Sequence, residues 1–145
     1  MQIDIRSEAF DPWREIVSFQ NKRQHPPCGF GATVTFVGTM RDFNESDTVK
    51  EMTLEHYPGM TERHLKAICQ EALDKWDLVD LLVIHRVGRV LPADPIVLVA
   101  VWSAHRKQAY EANRFVMEDL KSKAPFWKKE RLQQGQRWVT KNTAG

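Results

Sequence analysis

Two apolar runs in the middle of the chain place the tightest limits on how it can fold. They are VDLLVIHRV at residues 79–87 and PIVLVAVWS at residues 95–103. Both are rich in β-branched side chains, and the turn-like segment GRVLPAD separates them. Runs of this length and composition are typical of buried strands. The sequence therefore predicts a sheet that contains at least these two strands.

Helical periodicity appears on both sides of these runs. Apolar side chains in residues 58–76 follow the i, i+3, i+4, i+7, i+8 and i+11 spacing of one helical face: Leu65, Ile68, Cys69, Ala72, Leu73 and Trp76. A helix is also predicted over residues 7–20, with Ser7 as its N-cap, and another over 105–121. The last helix must end near Lys123, because Pro125 disfavours helical backbone in the residue before it.

Shorter alternating segments predict the remaining strands. They lie at residues 2–5, 30–39 and 49–57, and a terminal hairpin is formed by FWKKERL and QRWVTK around QQG. Residues 41–48 are polar and are expected to form a loop. The resulting order, β-α-β-β-α-β-β-α-β-β, predicts an α+β fold with a mixed or antiparallel sheet and about three helices. We expect one domain over residues 1–145, with a flexible tail at 140–145.

Composition excludes several classes of protein. The chain has 145 residues, of which 42% are hydrophobic and 28% charged, as in ordinary globular domains. It contains no apolar run near the ~18 residues of a membrane span and no secretory signal pattern, so a cytoplasmic location is expected. Its five histidines and two cysteines form no HExxH or CxxC pattern, and no glycine-rich nucleotide motif is present. We therefore expect no bound metal, no cofactor and no disulfide between Cys28 and Cys69.

The net charge of +2 hides an asymmetry. Residues 1–104 carry 11 Lys/Arg and 15 Asp/Glu, whereas residues 105–145 carry 10 Lys/Arg and 4 Asp/Glu. A basic C-terminal third on a slightly acidic body indicates a local anion site or an acidic partner.

Two basic motifs are candidates for that anion site. His105 and Arg106 follow a predicted buried strand and begin a helix, where backbone N–H groups bind anions. Cations are disfavoured there by the helix dipole, and departures of this kind tend to mark function. Arg41 ends another strand, three residues after Gly38.

The stretch DLKSKAPFWKKE, residues 119–130, supplies a third candidate. Pro125 separates a helix end from a strand, so Lys121 and Lys128 can converge although seven positions separate them. Two nearby ammonium groups lower each other's pKa and can bind a phosphate, carry protons or act as nucleophiles. A solvated basic edge explains the same pattern equally well. Trp127 is expected to pack, and Lys123 to be a solvated charge at the helix end.

At this point the sequence resembles a known family, the molybdopterin synthase catalytic (large) subunits. The resemblance is carried by GATVTFVGTMRD, LEHYPGM, IHRVGRVLPADPIVLVAVWSAHR and DLKSKAPFWKKE…GQRWV, in the family's order over roughly residues 3–139. It implies an α/β hammerhead-like fold. It also implies conversion of cyclic pyranopterin monophosphate to molybdopterin, with sulfur from the thiocarboxylated C-terminal Gly-Gly of a small ubiquitin-like carrier subunit. The expected assembly is a homodimer of large subunits within a heterotetramer.

The resemblance also assigns residues by number. It implies catalytic roles for Lys121 and Lys128. Substrate contacts are implied for these two lysines and for Thr39, Met40, Arg41, His105, Arg106, Lys129 and Glu130. Phe36 and Met117 are expected in the pocket wall. Family members often carry an arginine beyond RWV, where this chain has TKNTAG with Lys141 as its only cation, so a role of this tail in the pocket stays open.

Two other readings of the residues remain at this stage. The basic third can be a surface for RNA or for an acidic protein, with Phe126, Trp127 and Trp138 available for stacking. A lysine-based Schiff-base enzyme is the other. The resemblance favours neither of them, and it implies no nucleic-acid partner and no membrane partner.

Overall fold

The computed structural model describes residues 1–23, 29–44, 47–132 and 135–140. Its first sheet has the strand order β1-β5-β7-β2, formed by β1 (Gln2–Arg6), β5 (Leu78–Arg86), β7 (Pro95–Ser103) and β2 (Ala32–Thr39). β1 pairs in parallel with β5, whereas the β5–β7 and β7–β2 pairs are antiparallel. This is the mixed sheet that the sequence predicts, with the two apolar runs as its central strands.

Both faces of this sheet are covered by helices, which explains why β5 and β7 are apolar throughout. One face carries Val83 and Val99 against α2 (Met60–Lys75) and α3 (Arg106–Lys123). The other carries Leu82 and Trp102 against α1 (Pro12–Lys22). Side chains alternate between the faces of a strand, so an all-apolar run is expected where both faces are buried.

A second sheet lies beside the first. Its strands run in the order β3-β4-β8-β9, with β6 paired to β4: β3 (Phe43–Asn44), β4 (Asp47–His56), β8 (Phe126–Leu132), β9 (Gly135–Trp138) and β6 (Gly88–Val90). Its apolar face holds Met52, Leu54 and Val90, and the segment after β2 adds Met40 to the same cluster. The end of β2 therefore connects the two sheets.

The structure confirms the fold class, an α+β domain whose described residues form three helices, and corrects some local predictions. α1 begins at Pro12 and its N-cap is Asp11, not Ser7, because the Asp11 carboxylate accepts hydrogen bonds from the backbone N–H groups of Trp13 and Arg14. β3 and β6 form where only loops were predicted. Cys69 is fully buried, as expected of a small core side chain. Cys28 and residues 141–145 lie outside the described residues, so the predictions about them are not addressed.

Candidate active site

Lys121 and Lys128 line the same cavity, as the break at Pro125 predicts. α3 ends at Lys123, the backbone of Ala124 is extended (φ −76°, ψ 132°), and β8 begins at Phe126. The chain therefore reverses within about two residues, and the lysine of the last helical turn faces the lysine of the new strand.

A buried threonine of α2 holds this reversal in place. The Thr61 hydroxyl donates a hydrogen bond to the carbonyl oxygen of Pro125 at 3.0 Å and accepts one from the N–H of Tyr57 at 2.9 Å. Its side chain is fully buried. The position of the two lysines is thus set by a contact between elements 64 residues apart in the chain.

The cavity has a volume of about 410 Å³ and lies between the two sheets and the end of α3. Apolar side chains make up much of its wall, including Phe36, Ile96, Met117, Leu120 and Phe126. The charged or titratable side chains in its wall are Arg41, His85, Lys121, Lys128 and Glu130. An apolar enclosure with a few convergent polar groups is the usual form of a small-molecule site.

Burial and like charge act together on Lys128. The largest effect that lowers its pKa is loss of hydration, and the charges of Lys121 and Arg41 lower it further. The carboxylate of Glu130 opposes these effects. A lysine with a lowered pKa exchanges protons nearer neutral pH, as acid–base chemistry requires.

The end of β2 and the segment that follows it bring Thr39, Met40 and Arg41 to the cavity. The β2–β7 pairing shifts register between Gly38 and Thr39. The backbone of Met40 then exchanges two hydrogen bonds with the 93–94 turn: its N–H donates to the Asp94 carbonyl at 2.9 Å, and its own carbonyl accepts from the Ala93 N–H at 2.8 Å.

Met40 and Arg41 differ in exposure. The Met40 side chain is buried, whereas Arg41 is exposed at the mouth and lies over the Phe43 ring at 5.2 Å. The two residues expected in the pocket wall, Phe36 and Met117, both line the cavity.

Glu130 lines the cavity but is engaged by the protein itself. Its carboxylate accepts a hydrogen bond from the Asn44 side-chain amide at 2.7 Å, and the Arg137 guanidinium lies 3.7 Å away. Arg137 also donates to the backbone carbonyl of Asn44 at 2.9 Å. Glu130 therefore ties β3, β8 and β9 together, so the structure shows it positioning the segment that follows Arg41.

Three residues assigned by the resemblance lie away from this cavity within one chain. His105 is the N-cap of α3 and Arg106 is its first residue, and both are exposed. Fifteen residues of α-helix separate Arg106 from Lys121, which corresponds to about 22 Å. Lys129 points to the opposite face of β8, where its ammonium lies 5.5 Å from the centre of the Trp138 ring. Within one chain these three residues therefore do not line the cavity that holds Lys121 and Lys128, and their assignment as substrate contacts stays a prediction.

Two side chains that the sequence analysis did not select also belong to the site. His85 and Asn44 line the cavity. His85 sits within the apolar run of β5, and alternation places it on the same face as Leu81 and Val83. This alternation was the only indication in the sequence that His85 faces the interior. The sequence alone does not show which residues cover that face of β5.

Between residues 105 and 140, the described basic side chains do not form one continuous surface. Several make ion pairs with nearby carboxylates: Arg114 with Glu118, Lys123 with Asp119, Arg131 with Glu51 and Arg137 with Glu130. Lys121 and Lys128 line the cavity instead. Trp127, which was expected to pack, is 47% exposed on the outer face of β8, so that expectation is wrong. This distribution does not favour the alternative of an RNA-binding surface.

Two further features concern the part of the chain that the structure describes. Within it, no group of three or more His, Cys, Asp or Glu side chains is placed to hold a metal ion. Its helices include none that is long and apolar enough to span a bilayer.

Comparison with known proteins gives consistent matches. The model of the MoaE protein family matches residues 5–123. A molybdopterin synthase catalytic subunit from Pasteurella multocida is 56% identical over 139 residues, covering 96% of this chain and 89% of the relative.

Solved structures give the same picture. The molybdopterin biosynthesis MoaE protein from Burkholderia ambifaria matches with a TM-score of 0.79 at 45% identity, over 95% of this chain and 88% of that one. The molybdopterin synthase from Staphylococcus aureus matches with a TM-score of 0.83 at 31% identity, over 94% of this chain and 96% of that one.

Proposed function

The chain belongs to the MoaE protein family, the catalytic subunits of molybdopterin synthase in molybdenum cofactor biosynthesis, and from this premise we propose the reaction that its cavity performs. The subunit converts cyclic pyranopterin monophosphate to molybdopterin, and the sulfur comes from the thiocarboxylated C-terminus of a small ubiquitin-like carrier subunit. The observation that carries the proposal is the convergence of Lys121 and Lys128 in one largely apolar cavity of about 410 Å³.

The two ammonium groups suit the chemistry of an acyl-sulfur donor. A thiocarboxylate is an anion; after its sulfur bonds to the substrate, water attacks the acyl carbon, negative charge develops on the acyl oxygen, and the C–S bond breaks to leave a carboxylate on the carrier. Fixed cations in a partly dehydrated site stabilise such charge more strongly than water does. Lys128, whose pKa burial lowers, is the better placed of the two to give up and regain a proton. The donor brings its own sulfur, so the reaction needs no thiol from this chain and, we propose, no metal or other cofactor.

Arg41 is the residue best placed to bind the substrate phosphate. Its guanidinium is exposed at the cavity mouth, close to the Phe43 ring, and guanidinium groups match phosphate oxygens in geometry and charge. Phe36 and Met117 offer an apolar wall to a planar pterin. Thr39 and Met40 line the same side of the cavity.

His105 and Arg106 can contact the same substrate only from a second copy of the chain. They lie about 22 Å along α3 from Lys121, which is too far for their own cavity. We propose that they act across the expected homodimer, which, with two carrier subunits, would form a heterotetramer. We propose no contact between Lys129 and the substrate bound in the cavity of its own chain. The cytoplasmic location remains a prediction from the sequence.

The experiment compares lysine variants in the presence of the small subunit charged as its thiocarboxylate. Lys121→Ala and Lys128→Ala are each expected to lower product formation at least a hundredfold, as measured by mass spectrometry of the pterin product. The matched control is Lys123→Ala, which removes an exposed lysine of the same helix end that pairs with Asp119. Its rate should remain within about twofold of the parent.

Two results would contradict the proposal. One is near-parental product formation by folded Lys121→Ala. The other is an equal loss in all three variants, which would indicate a general effect of positive charge. Mixing Arg41→Ala with Arg106→Ala chains tests the dimer separately. If the two residues serve one site across the interface, mixed dimers recover one intact site and therefore part of the activity that each variant lacks alone.

A further inference from the structure

His85 is a titratable side chain of the cavity wall that has no role in the chemistry described above. It lies near the end of β5, and only 4% of its surface is exposed. Its ring is stacked on Phe126, with 3.8 Å between ring centroids and 12° between ring planes. Lys121 and Lys128 line the same cavity as this fixed imidazole.

The hydrogen bonding of His85 fixes the form of its ring. Nδ1 lies 2.8 Å from the backbone carbonyl oxygen of Arg86. A carbonyl oxygen only accepts, so Nδ1 carries the proton and donates it, and Nε2 keeps its lone pair. Burial lowers the pKa of His85 to about 4, although the bond to Arg86 opposes this, and the charges of Lys128 and His56 lower it further. The ring is therefore a neutral acceptor at physiological pH.

The strand geometry of β8 places this acceptor beside Lys128. Phe126 and Lys128 project from the same face of the strand, about 6.6 Å apart along it. The imidazole stacked on Phe126 lines the same cavity as Lys128, and the charge of Lys128 acts on it. The next residue on that face is Glu130, whose carboxylate is already engaged by Asn44 and Arg137.

Lys128 needs such an acceptor because its ammonium has three donors in a partly dehydrated site. The other charged groups that act on it come from three elements: Lys121 on α3, Arg41 after β2, and Glu130 on β8 itself. The two cations repel the ammonium, and the Glu130 carboxylate, which is bound by Asn44 and Arg137, attracts it. A neutral acceptor can direct the ammonium without holding its proton as firmly as a carboxylate would.

We propose that His85 is a positioning residue for Lys128: its Nε2 accepts a hydrogen bond from the Lys128 ammonium and thereby aims that group into the cavity. The inference deepens the proposed function and rests on it for its catalytic consequence. The proposed contact involves only groups of the folded chain and can be tested without the reaction.

The test compares two substitutions in the full chain with its small subunit. His85→Phe keeps an aromatic ring against Phe126 but has no acceptor. His85→Gln loses the ring but places an amide oxygen near the position of Nε2. His64→Gln is the matched control, because His64 is an exposed histidine of α2. Thermal unfolding of each variant first establishes that it is folded.

The primary measurement is an NMR titration of Lys128, with lysine ¹³Cε labels and assignment by Lys128→Met. In His85→Phe the pKa of Lys128 should fall below its value in the parent chain, because the ammonium loses an acceptor that stabilises its charged form. In His85→Gln it should return towards the parental value, and in His64→Gln it should not move. An unchanged Lys128 titration in folded His85→Phe would overturn the proposal.

The second measurement is the pH profile of single-turnover sulfur transfer. His85→Phe should lower the rate about tenfold or more and move the limb that reports Lys128 in the acid direction, and His85→Gln should recover most of both. A loss of rate with an unmoved profile and no recovery in His85→Gln would mean that His85 is only structural, which contradicts the proposal. If the parent chain itself transfers no sulfur, the proposed function fails, while the NMR titration still decides the contact.

A further measurement keeps the proposal testable if His85→Phe does not fold. The ¹⁵N shift of His85 Nε2 in the parent chain reports whether this atom accepts a hydrogen bond. It should change when Lys128→Met removes the donor, and it should stay constant in Lys123→Met. A constant shift in both variants would overturn the proposal.

Discussion

Asn113 fixes α3 to the first sheet through its buried side-chain amide, so its substitution should lower stability. Its side chain is 5% exposed, and its amide nitrogen donates to the carbonyl of Val34 at 3.0 Å and to that of Val99 at 2.9 Å. One amide thus connects α3, which carries Lys121, to β2, which leads to Arg41, and to β7. The substitution Asn113→Ala removes both donors at once.

The expected loss of stability follows from these two hydrogen bonds. A buried hydrogen bond contributes about 0.5–1.5 kcal/mol net, and leaving buried acceptors less satisfied adds to the cost. We therefore expect Asn113→Ala to lower the free energy of unfolding by about 2–3 kcal/mol. For a chain of this size that corresponds to a decrease in Tm of roughly 4–12 °C. Urea unfolding should show a lower midpoint with an unchanged m value.

The control for this prediction lies on the same helix. Lys107 is exposed in the first turn of α3, and Lys107→Ala should change stability by less than about 0.5 kcal/mol. If the stability change of Asn113→Ala is also less than about 0.5 kcal/mol, the hydrogen bonds from the amide to the two carbonyls do not contribute to stability. The argument that Asn113 fixes α3 to the sheet is then refuted.

Three further perturbations test other parts of the structure. Burial raises the pKa of Cys69 to about 12 from its ordinary value of 9.0. Stability that is present below pH 9 should therefore be lost as pH rises towards 12. The urea midpoint should decrease less between pH 8 and pH 10.5 in Cys69→Ala than in the parent. Gly31→Ala would place a Cβ 2.5 Å from the carbonyl oxygen of Ala104 and should cost about 1–3 kcal/mol in thermal unfolding; a Tm within 1 °C of the parent would mean that the contact relaxes freely. Glu130→Ala removes the buried acceptor of Asn44 and should cost about 1–3 kcal/mol, whereas Glu55→Ala, on the exposed face of the same sheet, should change stability by less than about 0.5 kcal/mol; equal effects of the two would contradict the tie between β3 and β8.

Local patterns in the sequence predicted the elements that are long and periodic. The apolar runs that became β5 and β7, and the i, i+3, i+4 face of α2, carry enough information to be recognised alone. β3 and β6 escaped prediction because they have only two and three residues, and both exist because β4 offers them a pairing edge. Asp11 was missed as the N-cap because Pro12 was placed inside the first turn rather than at its start.

The same division applies to the candidate site. The convergence of Lys121 and Lys128 was predictable because a single local feature, Pro125, forces the reversal. The environment of His85 was not, because it depends on Phe126, 41 positions later in the chain. The separation of Arg106 from Lys121 follows from the length of α3 and was knowable from the sequence. The resemblance groups residues by motif, whereas a pocket groups them by position in space, so the resemblance gives no distance between these two residues.

The electrostatics of the cavity link ligand binding to the proton on Lys128. Among the groups of the chain itself, burial and the charge of Lys121 both disfavour the Lys128 ammonium, and Glu130 opposes them less strongly. An anion that enters the cavity reverses the balance, because it favours the charged form of every cation that it contacts. Lys128 should therefore lose its proton more readily before an anionic donor arrives and hold it more firmly once the donor is bound. A residue whose proton affinity rises on binding can accept a proton in the complex and release it when the product leaves. The burial that makes the ammonium costly in the free chain is thus what lets the ligand control its protonation.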